Sequence, residues 1–159
     1  MSNELDEFIS NNPNVSRETI KKLAEFQSFL VEQNLKHNLV SKNQIDKIWM
    51  RHIHDSLRLL NLLDLNKPMK ILDIGSGGGF PAIPLAIATE KYNLKYTLCE
   101  SITKKSNFLR LSVELLNLPN IQIINDPKMT YILRKDRTFT YISYIFRFLR
   151  YHIMILFTM

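Results

Sequence analysis

All four glycines of the chain fall between Gly75 and Gly79, inside the run Ile71-Leu72-Asp73-Ile74-Gly75-Ser76-Gly77-Gly78-Gly79-Phe80-Pro81. The apolar residues around Asp73 read as a buried strand, and the glycines as a turn where side chains would block a close approach. Pro81 and Pro84 suit a first helical turn, which has no use for the N–H groups they lack, and Leu85-Ala86-Ile87-Ala88 continues as helix. Strand, glycine turn and helix in that order predict free N–H groups and a positive helix end aimed at a ligand, at the carboxyl edge of a parallel sheet. The alternative is an ordinary surface turn.

Spacing narrows the ligand. The dinucleotide fingerprint G-x-G-x-x-G needs a glycine where Phe80 stands, which weakens a nicotinamide-dependent oxidoreductase, and no Gly-Lys-Ser/Thr follows to make a phosphate loop. What remains, Asp73-x-Gly75-x-Gly77-x-Gly79, resembles the first motif of S-adenosylmethionine-dependent methyltransferases. That cofactor is a cation with a sulfonium and an amino group, so an acid such as Asp73 is electrostatically sensible there, where a phosphate would call for lysine. Tyr96-Thr97-Leu98-Cys99-Glu100 reads as the next strand, and it ends in a carboxylate about 20 residues past the glycines, where an acid accepts hydrogen bonds from ribose hydroxyls. Glu100 is the ribose candidate, against the alternative of a solvated strand end.

A chain of 159 residues, 45% hydrophobic and 23% charged, suffices for one packed domain. Its single cysteine, Cys99, lies within a predicted strand, so it reads as core and no disulfide can form within the chain. A reducing, cytoplasmic setting is expected, with no membrane partner, because the acidic start Met1-Ser2-Asn3-Glu4 lacks a secretory pattern and no uncharged apolar run reaches spanning length. A monomer is expected. Residues 1–101 hold 12 Lys/Arg against 12 Asp/Glu, whereas residues 102–159 hold nine against three, so the net charge of +6 is concentrated late in the chain. A basic flank beside a cofactor turn suggests a polyanion such as RNA; a generic basic surface is the competing reading.

Ile20, Leu23, Ala24, Gln27, Leu30 and Val31 keep helical spacing behind Ser16, a candidate N-cap, with Glu18 in the first turn. Ile45, Ile48, Trp49, Ile53, Leu57 and Leu60 predict a second helix that ends near Pro68. An amino-terminal helical extension, residues 1–67, thus precedes strand, helix, strand, a helix from about Thr103 to Leu116, and a strand from Ile121 to Ile124. This is an α/β order with a parallel sheet. Residues 68–126 form the first half of such a domain, and 127–159 an aberrant basic and aromatic tail.

On the second predicted helix His52, Asp55 and Ser56 share a face. A Ser-His-Asp relay would also need an oxyanion site, of which there is no sign, and a metal site would need more ligands than His52 and Asp55 supply. A polar cluster knitting helix to sheet, or a patch facing substrate beside the cofactor cleft, remain as the readings.

Several segments together resemble one family, the bacterial small-subunit ribosomal RNA guanine-N7 methyltransferase G family, also called glucose-inhibited division protein B. They are His37-Asn38-Leu39-Val40-Ser41, Arg51-His52-Ile53-His54-Asp55-Ser56-Leu57, Leu72 through Ala86, and Glu100-Ser101 with Lys104-Lys105 and Phe108-Leu109. The resemblance covers roughly residues 17–126. It implies a Rossmann-like S-adenosylmethionine-dependent methyltransferase sheet with a helical extension, and methyl transfer to N7 of a guanine in 16S ribosomal RNA or the small ribosomal subunit. It also implies Gly75 and Phe80 against the cofactor, Glu100 near its ribose, and His52 and Lys104 on the RNA side; with Asp73, Ser76, Gly77 and Gly79 of the turn these complete the expected cofactor-binding set. No catalytic base is expected, because guanine N7 carries a lone pair and has no proton to lose.

The chain departs from the family pattern in places. Ala82 stands where glycine is usual, and Pro127-Lys128-Met129 replaces an arginine followed by a glutamate. A later Ser-Arg-Ala segment is not found. Residues 127–159 instead hold half of the 16 aromatics, six Lys/Arg against one acid, and no glycine. The expectation is a frameshift or early stop that leaves the sheet incomplete, with one edge exposed and activity in doubt. A non-catalytic remnant or RNA-binding fragment, an RNA-stacking tail and a membrane-surface helix from Tyr144 to Phe157 are the alternatives.

Overall fold

The computed structural model describes residues 2–127 and, by their backbone, 153–158. Two helices lead, α1 (Ser2–Asn11) and α2 (Arg17–His37). Ser16 caps α2 as its sequence predicts, its hydroxyl accepting the Thr19 N–H at 3.2 Å. Leu23, Phe26, Leu30 and Asn34 form the buried stripe of α2. Helical periodicity singles out no helix before Ser16, yet α1 is present. Phe8 anchors it: the side chain is fully buried, with its ring centroid 5.0 Å from that of Trp49.

The single helix expected over Ile45 to Leu60 is a composite. A 3-10 turn (Lys42–Lys47) leads into a π-helical turn (Trp49–His54), then α3 (Asp55–Arg58) and a second 3-10 turn (Leu59–Leu62). Apolar periodicity reports which side faces inward but not how tightly the chain winds. Here Trp49 and Ile53 are both buried, and the widened π turn presents them on the same side, Trp49 against Phe8.

The sheet begins with β1 (Met69–Ile74), crosses through α4 (Ala82–Ala88) to β2 (Leu94–Glu100), and crosses again through α5 (Thr103–Leu115) to β3 (Ile121–Asn125). These three strands are parallel, with Asp73 level with Leu98 and Glu100 level with Asn125. Helices on the faces bury the strands on both sides, which is why β1 and β2 read as nearly continuous apolar runs. Leu57, Ile71, Ile83, Leu85, Leu98 and Leu109 sit in the core they share.

The free edge of β1 is not exposed, contrary to expectation. A fourth strand, β4 (Ile153–Thr158), lies antiparallel against it, giving the order β3-β2-β1-β4. Residues 153–157 are therefore strand and not part of a membrane-surface helix. The remainder of the basic, aromatic tail, residues 128–152 and Met159, lies outside the described residues. Among the described residues no helix is long and apolar enough to cross a membrane.

Candidate functional site at the glycine turn

The turn from β1 into α4 runs over the carboxyl ends of β1 and β2, where Asp73 and Glu100 stand. Gly75, Gly77 and Gly79 all take positive φ. At Gly79 the requirement is doubly strict: φ is +86°, and a Cβ there would lie 2.6 Å from Ile83 Cδ1 and 3.3 Å from Phe26 Cζ. Sequence pattern and backbone agree at this position.

They differ on what the N–H groups do. The spacing predicts free donors aimed at a ligand, but four of the turn's donors are engaged within the protein. Gly75 and Ser76 both donate to the Cys99 carbonyl, at 2.8 and 3.2 Å, and Gly79 donates to the Ser76 carbonyl at 2.7 Å. Gly77 donates to Glu100 Oε2 at 2.9 Å. The positive end of α4 is engaged as well, with Ile83 N–H on the Gly79 carbonyl at 2.8 Å. An anion therefore meets few open donors here, which weakens the dinucleotide and phosphate readings on structural grounds.

The two acids differ. Glu100 is 4% exposed and well satisfied, its Oε1 accepting the Ile102 N–H at the start of α5 at 2.8 Å while Oε2 holds Gly77. Its carbonyl is held by the Asn125 side chain at 2.9 Å. Asp73 is fully buried, and neither of its carboxylate oxygens has a hydrogen-bond partner. The Ser76 hydroxyl donates instead to the Asp73 main-chain carbonyl, at 3.1 Å. Burial pushes the Asp73 carboxyl up to about 7, tempered by Ser76 and reinforced by the negative Glu100. A buried, unpartnered carboxylate beneath a backbone turn fits a positively charged group and repels an anion. Burial likewise pushes the Cys99 thiol up to about 11, with Asp73 and Asp126 adding to the rise, so it is an unreactive core residue.

The remaining candidates take separate places. The Phe80 ring is 3% exposed, edge-on to Phe26 at 5.5 Å and stacked on His52 at 4.7 Å. His52 is thereby brought to the glycine turn by the π-helical turn. Lys104 stands exposed in the first turn of α5, four residues past Glu100. His52, Asp55 and Ser56 do not form a relay: the Ser56 hydroxyl donates to the His52 carbonyl, and Asp55 lies 3.6 Å from Arg58. Two contributors escaped the sequence reading, Asn125 and Asn34. The signal for Asn34 was available, an amide in the stripe position where α2 otherwise places Leu23, Phe26 and Leu30.

A protein-family model described as rRNA small subunit methyltransferase G matches residues 19–141. A ribosomal RNA small subunit methyltransferase G of Orientia tsutsugamushi (strain Ikeda) is 42% identical over 126 residues, which are 79% of this chain and 61% of that protein. One of Rickettsia akari is 47% identical over 111 residues, 70% of this chain and 56% of its own length. One of Gluconobacter oxydans is 51% identical over 96 residues, 60% and 47%. The chain spans about half to three-fifths of the length of these curated relatives.

Proposed function

The chain belongs to the rRNA small subunit methyltransferase G family, and from that premise we propose that its glycine turn holds S-adenosylmethionine for methyl transfer to N7 of a guanine in 16S ribosomal RNA. The observation that carries the cofactor assignment is the Asp73 carboxylate, fully buried and without a hydrogen-bond partner, under a turn whose Gly75, Ser76, Gly77 and Gly79 N–H groups are already engaged. That arrangement suits a cation and not a pyrophosphate.

When bound, S-adenosylmethionine supplies an electrophilic methyl group on a sulfonium. The protein's part is placement. Asp73, whose buried carboxyl is pushed up to about 7, ionises when a positive group comes beside it, and the exclusion of water strengthens that attraction. Glu100 accepts from ribose hydroxyls with the lone pairs left after Gly77 and Ile102 are served. The main chain from Gly75 to Phe80, including Ser76, Gly77 and Gly79, forms the surface against which the cofactor lies. Phe80 contributes through its backbone and by fixing His52, since its ring is packed between Phe26 and His52. His52 and Lys104 orient RNA, one stacked beside the turn and the other cationic and exposed. No group need remove a proton, because N7 attacks with its own lone pair and the catalytic gain comes from position and desolvation.

The test is thermal stabilisation of the 159-residue chain. S-adenosylhomocysteine should raise the melting temperature, since a ligand that binds the native state adds stability, and NAD should not. A shift with NAD and none with S-adenosylhomocysteine reverses the assignment. Methyl transfer to small ribosomal subunits then separates binding from turnover, and cofactor binding without transfer gives this chain the binding half of the function alone. His52→Ala should lower transfer while leaving the calorimetric affinity for S-adenosylmethionine within about twofold, because a group that contacts only the second substrate leaves cofactor affinity unchanged.

A further inference from the structure

Asn34 is the only polar residue of the buried α2 stripe, and it is 5% exposed. Its main-chain carbonyl accepts the Asn38 N–H at 3.3 Å, where Asn38 turns left-handed (φ 47°, ψ 53°) and ends the helix. Its side-chain Oδ1 then accepts the Val40 N–H at 2.8 Å. One residue thus holds both arms of the reversal that follows α2. The reversed segment rests on the glycine turn: a Cβ on Gly78 would lie 3.3 Å from the Leu39 carbonyl oxygen, 3.4 Å from Val40 Cγ1 and 3.6 Å from Leu30 Cδ1. Gly78 is accordingly a tight position: an added methyl group would require the Leu39–Val40 main chain, which Asn34 holds, to give by a few tenths of an ångström.

We propose that Asn34 is a positioning residue for the cofactor turn, acting through the Val40 N–H and the Leu39 carbonyl on the α-carbon of Gly78. The helical extension is by this route a structural wall of the cofactor site, and the turn keeps its shape only while the α2 elbow is tied. The cofactor part of this inference rests on the proposed methyl-donor site; the mechanical part does not.

Asn34→Leu keeps the branched shape of the side chain and removes the acceptor, which orphans the part-buried Val40 N–H. In the ligand-free chain, amide exchange at Gly77, Gly78 and Gly79 read by NMR should quicken about tenfold, and the dissociation constant for S-adenosylhomocysteine should rise about tenfold. Asn34→Asp retains an acceptor oxygen and should restore exchange at the turn to within about threefold of the parent. Unchanged exchange at the glycines in folded Asn34→Leu overturns the proposal, as does an Asn34→Asp chain as loose at the turn as Asn34→Leu. Should Asn34→Leu fail to fold, Gly78→Ala reads the same coupling from the other side. Its methyl group presses on the Leu39 carbonyl and should quicken exchange of the Val40 amide; an unchanged Val40 amide overturns the proposal. If the parent chain does not bind S-adenosylhomocysteine, the cofactor assignment fails while the exchange measurements still decide the coupling.

Discussion

The glycine turn and the Lys42–Leu62 segment lie on either side of Phe80 and were built by different rules. In the turn, geometry is imposed by hard contacts: at Gly79 a positive φ and a Cβ position 2.6 Å from Ile83 leave one residue type possible. In the segment, winding passes from 3-10 to π to α and back to 3-10 within 21 residues, and no residue in it demands that sequence of turns. The winding is set from outside, by Phe8 of α1 against Trp49 and by Phe80 against His52. Local sterics write themselves into local sequence. Packing between distant segments does not.

That contrast can be broken most forcefully at Phe8. Phe8→Ala removes a fully buried ring and should cost about 3 kcal/mol in urea unfolding, with exchange of the Trp49 to His54 amides rising more than that of β1. Uniform loss across both regions would mean that the segment winds as it does without α1. Next in size is Gly79→Ala, expected to cost about 2–3 kcal/mol through its left-handed backbone and the clash with Ile83 and Phe26. A cost below about 1 kcal/mol would show that the turn relaxes more easily than its contacts imply.

Smallest per pH unit, and most specific, is a titration. Asp73 titrates near 7 in the folded chain, against 3.8 for the free side chain. Between these values the folded state binds a proton that the unfolded state has lost, so stability falls as pH rises. The contribution is fully present below about pH 3.8 and gone above about pH 7, with a slope of up to ~1.4 kcal/mol per pH unit between. Asp73→Asn should flatten this part of the pH profile of unfolding. An unchanged profile would place the titration elsewhere and deprive the turn of its buried negative charge.

Much of the sheet half was legible because its signals are covalent and close together. The bounds of β1, α4, β2, α5 and β3 fall within two residues of those read from apolar runs, Pro81 and the glycines, and Ser16 caps α2 as its chemistry requires. The use of the Gly75, Ser76 and Gly77 N–H groups was not legible, because their acceptors are the Cys99 carbonyl and the Glu100 carboxylate, more than 20 residues away and joined only by strand register. The amide of Asn34 stands out in an apolar stripe, but its effect does not, since it passes through nearby Val40 to distant Gly78. The roles of His52 and Lys104 depend on a second substrate, and one chain's contacts speak only to where those side chains stand.

The direction of β4 has a practical consequence for anyone labelling the molecule. Because Ile153 pairs with Ile74 and Thr158 with Met69, the chain passes the glycine turn first and leaves the sheet at its opposite rim. At about 3.4 Å per residue that travel is roughly 17 Å. A fluorophore carried at position 158 would ride at the far rim of the sheet, away from Asp73, whereas the same dye at position 153 would stand at the doorway.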